Sequence, residues 1–327
     1  MPFFSAHTRT RLPTRLFSVR FGLSALVLLV VLVGLLSFGR MFRQANLLDK
    51  DFITIVLHSD PVVVLYTSGD STSFITIPSD SFVELPHGYG SYQLLAAWRL
   101  GEIDGNGGQL LAGAVQELLT VPIDGWFGYD EPMKIEETEA SAMIARFKHI
   151  FAVGSLLKMK TNLTLLDRIA LYTRVVRLPP TQSQVLSLAD TGISQPLALA
   201  DGTVVNSLDP VALSNLLDGT FEQQSIRDES FRIAILNGTS RPGLGQKAVG
   251  IIESLGGLVV RVANADETED QCVIKVIPTV SESKTAIILR DIFNCRVVEI
   301  AEGQFREDIQ LIVGTQYQDY LFGELEE

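Results

Sequence analysis

Residues 231–313 constrain this chain more tightly than any other part of it. Phe231, Ile233 and Ile235 alternate as one face of a strand does, and the run breaks at Asn237-Gly238, a pair that favours a tight turn. Ala248, Ile251, Ile252 and Leu255 then repeat at helical spacing until Gly256-Gly257 stops the helix. Strands are expected over 258–262 and 272–277, a helix over 284–293, and strands over 296–300 and 309–313. Strands alternating with helices at this density make one compact α/β module.

The rest of the 327 residues divides around an uncharged, leucine- and valine-rich run at 21–39, bracketed by Arg20 and Arg40. As a helix it rises about 28 Å, close to the hydrocarbon thickness of a bilayer. It exceeds the roughly 7 to 15 residues of a signal-peptide core, so it reads as a retained anchor. Arg9, Arg11, Arg15 and Arg20 precede it with no acid among them, which places residues 1–20 in the cytoplasm as a short tail and everything after about residue 40 outside. Setting aside the six arginines at 9, 11, 15, 20, 40 and 43 leaves 20 basic residues against 38 acidic ones. Such a charge argues against nucleic acid as a partner. The expectation is a single-pass cell-membrane protein with an extracellular C-terminal part.

Residues 40–51 form a charged linker. Strands are expected at 52–57, 62–66 and 74–77, then a further short strand, a helix near 91–100, a glycine-rich loop and a helix at 109–119. Helical spacing returns at Met143, Phe147 and Ile150 and again at Leu165, Ile169 and Tyr172, until Pro179-Pro180 ends it. Strands at 185–188 and 203–205 and a helix opened by Asp209-Pro210 complete this unit, and polar residues 219–230 mark its boundary. The fold class is therefore α/β: a transmembrane helix, an α/β sandwich domain over 52–220 and a small α/β module over 228–322.

Two sets of residues resemble one family. The order of elements after residue 230, with the asparagine-glycine turn and the closing strand-glycine, resembles the C-terminal domain of LytR-CpsA-Psr cell-envelope proteins. Ile77-Pro78-Ser79-Asp80-Ser81, Tyr92-Gln93-Leu94, Gly107-Gly108 and Ile123-Asp124-Gly125-Trp126 resemble, in that order, the motifs of the family's catalytic domain. Order and spacing agree; the charges do not. Ser79 stands where the family has an arginine and Gln93 where it has a lysine.

That resemblance implies an outer-face transfer of glycopolymer from a polyprenyl-pyrophosphate lipid to peptidoglycan. A pyrophosphate leaving group needs cations to neutralise developing charge. Asp80 matches the motif aspartate, a candidate catalytic and Mg²⁺-holding residue, though a turn aspartate after Pro78 bonding its own backbone is the competing reading. Arg168, Arg174 and Arg177 lie in the part of the chain where the family places further arginines. With Lys158 and Lys160 they belong to a stretch, 146–177, holding seven basic residues and one acid, Asp167. These five are candidate substrate-binding residues, against the alternative of solvated helix faces.

Cys272 and Cys295 are the two cysteines, and an oxidising compartment permits a disulfide between them; a pair of buried thiols is the alternative. The segment 104–108 begins like a calcium loop but has Val115 where the bidentate glutamate belongs. No cofactor is expected unless catalysis survives, in which case Mg²⁺ is. The expected function is binding or scaffolding in cell-wall glycopolymer assembly at the membrane. An active phosphotransferase is the alternative, and a structural module docking other envelope proteins the second.

Overall fold

The computed structural model describes residue 47 and residues 50–322, apart from 70, 106, 152–158, 178 and 304. The expected membrane helix at 21–39 lies outside the described residues, as does Lys158. Among the described residues no helix is long and apolar enough to cross a membrane.

Six strands form the sheet of the N-terminal unit, in the order Ser183–Ser187, Ser71–Ile77, Val62–Ser68, Phe52–Leu57, Gly125–Gly128, Lys160–Thr161. The central pairs are antiparallel, with Phe52 opposite Ser68 and Val62 opposite Ile77. Ser183–Ser187 and Gly125–Gly128 add in parallel on either side. Central strands covered on both faces need apolar residues at every position, not alternating ones. Val56, Val62, Val64, Tyr66, Ile75 and Ile77 pack on one face against the helices Ala96–Ile103 and Gln109–Leu119. Ile53, Ile55, Leu57, Val63, Leu65 and Phe74 pack on the other against Ala140–Ile150 and Leu165–Arg177. The α/β sandwich is thus three-layered.

The helix expected near 91–100 starts later. Gly90–Gln93 pairs as a strand with Phe82–Leu85, and Ala96–Ile103 is the helix. Gly88 and Gly90, both at positive φ, shape the turn that folds this hairpin back, and Gln93 at its end is exposed.

The C-terminal unit has a five-stranded sheet in the order Leu258–Asn264, Arg232–Asn237, Ile309–Val313, Val273–Val276, Arg296–Glu299. Val273–Val276 runs antiparallel to Ile309–Val313, and the other pairs are parallel. Helices Leu244–Ser254 and Lys284–Phe293 cover one face. A disulfide joins Cys272 to Cys295, residues that stand just before the two neighbouring strands at that edge.

The polar segment 219–230 is a packed joint. Phe221, Gln223 and Ile226 are buried, and Gln224–Glu229 is helical. The Tyr66 hydroxyl donates to the Phe221 carbonyl at 2.9 Å and accepts from Gln223 Nε2, while the two aromatic rings meet edge-on with centroids 5.1 Å apart. Gln223 N donates to Leu255 O at 3.0 Å, and Ser254 Oγ to Thr120 O at 2.7 Å. Glu229 accepts from the backbone amides of Lys284 and Thr285, satisfying free donors at the start of the Lys284–Phe293 helix. One apolar core therefore runs through both units. Composition hid this because the few apolar residues of 219–230 are the ones turned inward.

Candidate functional site

The site begins where Ser71–Ile77 leaves the sheet. Ser81 N closes a turn on Pro78 O at 3.1 Å, and the turn is fastened to its neighbours by Leu95 N to Ser79 O at 3.0 Å and Leu94 N to Ser81 O at 2.8 Å. Asp80 is exposed at the tip, where its Oδ2 accepts from Asn206 Nδ2 at 2.6 Å. Ser79, in the place of the family's arginine, donates to Asp60 Oδ1 at 2.6 Å. Among the described residues no ion pair reaches Asp80 or Asp60.

The candidate arginines lie elsewhere. Arg174 donates to Lys50 O at 2.9 Å, beside the start of Phe52–Leu57, and its charge faces Asp51 and Asp124. Arg177 ends its helix, and the chain then passes to Ser183, which pairs with Thr72. These are the positions at the beginning of Ser71–Ile77, whereas Asp80 lies beyond its end, a separation of about 20 Å at the rise of an extended strand. Arg168 turns back on Leu163 O at 3.2 Å. Lys160 lies at the same end of the sheet as Asp80 but on the far edge strand, four inter-strand steps or roughly 19 Å away. There it pairs with Glu102 and, at 2.6 Å, with Asp130, and these bonds raise its pKa. Asp80 is therefore not brought together with Arg174, Arg177 or Lys160.

An aromatic block occupies the sheet end between them. His58 follows Phe52–Leu57 and stacks on Trp98, ring centroids 4.2 Å apart and planes 1° from parallel. Trp98 in turn meets Trp126 edge-on at 5.3 Å. His58 Nδ1 bonds Tyr129 O at 2.9 Å, and burial lowers the imidazole pKa against the pull of Glu102 and Glu131. Gly108 lets the indoles in: a Cβ there would come within 2.4 Å of Trp126 and 2.5 Å of Trp98. The double glycine marked a motif in the sequence; its packing role needed the fold.

Mg²⁺ fits this donor set poorly. One Asp80 oxygen is engaged by Asn206 and one Asp60 oxygen by Ser79, and among the described residues no group of three or more His, Cys, Asp or Glu is placed to hold a metal. In the loop after the Ala96–Ile103 helix, Asp104 accepts from the Tyr89 hydroxyl. At the other end of the sheet Asp124 is buried, bonded by Thr54 N at 2.7 Å and by Lys50; burial raises its pKa. That cluster fastens the start of the first strand.

With this geometry in hand, residues 230–317 match the model of the family described as LytR cell envelope-related transcriptional attenuator, LytR_C. The C-terminal unit is similar to that family. Solved structures resemble the LytR_C-bearing chain more loosely. TagT, a LytR-CPS2A-psr family protein described with bound octaprenyl pyrophosphate lipid, is 15% identical, covering 51% of this chain and 88% of its own at a TM-score of 0.35. The transcriptional regulator yvhJ from Bacillus subtilis is 16% identical over 51% of this chain and 94% of its own, at 0.38. A transcriptional regulator from Enterococcus faecalis is 12% identical over 65% and 91%, at 0.41. Likeness at this level assigns no role to any residue. No curated protein matches the chain in sequence.

Proposed function

We propose that this protein is held at the outer face of the cell membrane by residues 21–39 and serves cell-wall glycopolymer assembly by binding, without transferring the polymer itself. The LytR_C unit supports the envelope setting. The ligand class, a wall glycopolymer or its polyprenyl-pyrophosphate carrier, is the one the sequence resemblance implies and the kind of lipid described with TagT.

The observation that carries the non-catalytic reading is the separation of Asp80 from Arg174, Arg177 and Lys160, with Asn206 as its partner. A preorganised cationic contact to developing charge is typically worth about 10² to 10³ in rate. With Ser79 and Gln93 in place of two such contacts, the loss compounds. Asp80 keeps a turn in register and offers one carboxylate to solvent.

The test is a transfer assay with purified protein, polyprenyl-pyrophosphate glycopolymer, peptidoglycan and Mg²⁺, run beside Asp80→Ala, together with co-sedimentation on vesicles carrying the same lipid. The expected result is lipid-dependent binding and turnover indistinguishable from the Asp80→Ala background. Turnover abolished by Asp80→Ala would overturn the reading and make the protein a transferase.

A further inference from the structure

A cleft of about 740 Å³ lies along the seam between the two units, walled by the Phe82–Leu85 strand and the helices Gln109–Leu119, Pro210–Leu217 and Leu244–Ser254. Its volume falls within the roughly 300–1,000 Å³ of ligand clefts. Val83, Leu213, Leu217 and Phe221 give it an apolar floor. Glu84, Asp218 and Glu253 stand exposed on its lining, and among the described residues none of the three is ion-paired. Two bases, Arg241 and Lys247, line it against five acids, and Lys247 pairs with Glu117 across the seam. The cleft is therefore apolar at its base and anionic at its rim.

We propose that this cleft binds an extended basic segment of a partner protein, apolar side chains seated on the floor and lysines or arginines alternating to Glu84, Asp218 and Glu253. An extended chain sends successive side chains to opposite sides, which suits a groove with a greasy floor and a charged lip. The same rim repels a phosphate-rich polymer, so this surface is separate from any glycopolymer site and does not depend on what the Asp80 end of the sheet holds. Both units contribute walls, so the site exists only while the joint at 219–230 is formed.

The experiment measures anisotropy of a fluorescein-labelled Lys-Val-Lys-Leu-Lys-Val peptide with the full chain. Counter-probes are Glu-Val-Glu-Leu-Glu-Val and a glycerol-phosphate oligomer. Partly exposed charge contacts each change affinity by about 1.5- to 5-fold. The combined Glu84→Gln, Asp218→Asn, Glu253→Gln variant is expected to bind the basic peptide on the order of tenfold more weakly. Ser214→Trp, which fills the cleft from an exposed lining position without touching its charge, should weaken it comparably. Removing three exposed acids outside the cleft, Glu131, Glu136 and Glu302, should change it less than about twofold. The proposal is overturned if the basic peptide does not bind, if the outside variant loses as much as the rim variant, if Ser214→Trp binds normally, or if either anionic probe binds as well.

Discussion

Tyr66→Phe tests whether the two units are one cooperative structure. Tyr66 and Gln223 are both buried, at 2% and 3% exposure, and burial holds the phenol protonated well above its usual range, so its O–H remains a donor at any physiological pH. The substitution removes the bond to Phe221 O and the acceptor of one Gln223 N–H. Gln223 Nε2 also reaches Phe221 O at 3.2 Å, so neither partner is left wholly bare. The cost is therefore about 1 to 2 kcal/mol, nearer one lost hydrogen bond than a stranded polar group. Gln223→Leu should cost more, roughly 2 to 3 kcal/mol, because it also strips Ser68 Oγ of its acceptor at 3.1 Å. The double variant should fall short of the sum by about 1 kcal/mol, since both changes break the same bond. Urea unfolding, followed by the fluorescence of Trp98 and Trp126, measures these values. Amide exchange in Leu244–Ser254 supplies the decisive reading, because that helix touches neither substituted side chain through any bond described above. A loss of 1 to 2 kcal/mol transmitted through the joint speeds its globally limited amides about 5- to 30-fold. Unchanged exchange there, with the fluorescence transition shifted, would refute the shared core.

Three further outcomes are expected. Reducing Cys272–Cys295, which are 23 residues apart, should cost about 3 kcal/mol by the loop-closure estimate, visible in calorimetry as a fall in Tm with reductant that the Cys272→Ser, Cys295→Ser double variant does not show. His58 has a folded pKa below its ordinary 6.5, so the unfolded chain takes up the proton first: stability is whole above pH 6.5 and is lost as pH falls from there towards the folded value, by at most about 1.4 kcal/mol per pH unit. His58→Gln should flatten that limb, and an unchanged acid limb would remove His58 from the account. Gly108→Ala puts a methyl group between Trp98 and Trp126 and should cost roughly 1 to 3 kcal/mol with a changed near-ultraviolet signal from the indoles.

The C-terminal unit was nearly all legible in the sequence, for a physical reason. Its strands and helices are short and are punctuated by glycine or asparagine where the backbone must reverse, as at Gly256 with φ 88° and Asn294 with φ 50°. The strand at 52–57 and the helix at 109–119 were equally plain from their apolar periodicity. The Gly90–Gln93 strand was hidden because all four of its residues are exposed, leaving no buried face to read. The distances within the candidate site were not legible in the sequence. Sequence placed three arginines downstream of Asp80, but strand order and direction decide which end of a sheet a side chain meets, and the passage from Arg177 to Ser183 leads to the start of Ser71–Ile77, the end away from Asp80. The joint escaped for the opposite reason, since Tyr66, Phe221 and Gln223 look unremarkable until residues 155 and 157 positions apart are brought into contact.

Asp51 stands immediately before the first strand, and its carboxylate meets Lys284 Nζ at 2.9 Å, 233 positions along the chain. The chain is already seated at Leu47, which is buried with its N–H on Asp167 Oδ1 at 2.9 Å, and the start of the first strand a few residues later also touches the C-terminal unit. Tension arriving along the backbone meets buried Leu47 and its bond to Asp167 first, and then pulls lengthwise on Phe52–Leu57, whose ladders with Val62–Ser68 and Gly125–Gly128 must slide in shear. Attached by that end, the fold resists first through the packing of Leu47 and only then through the strand ladders.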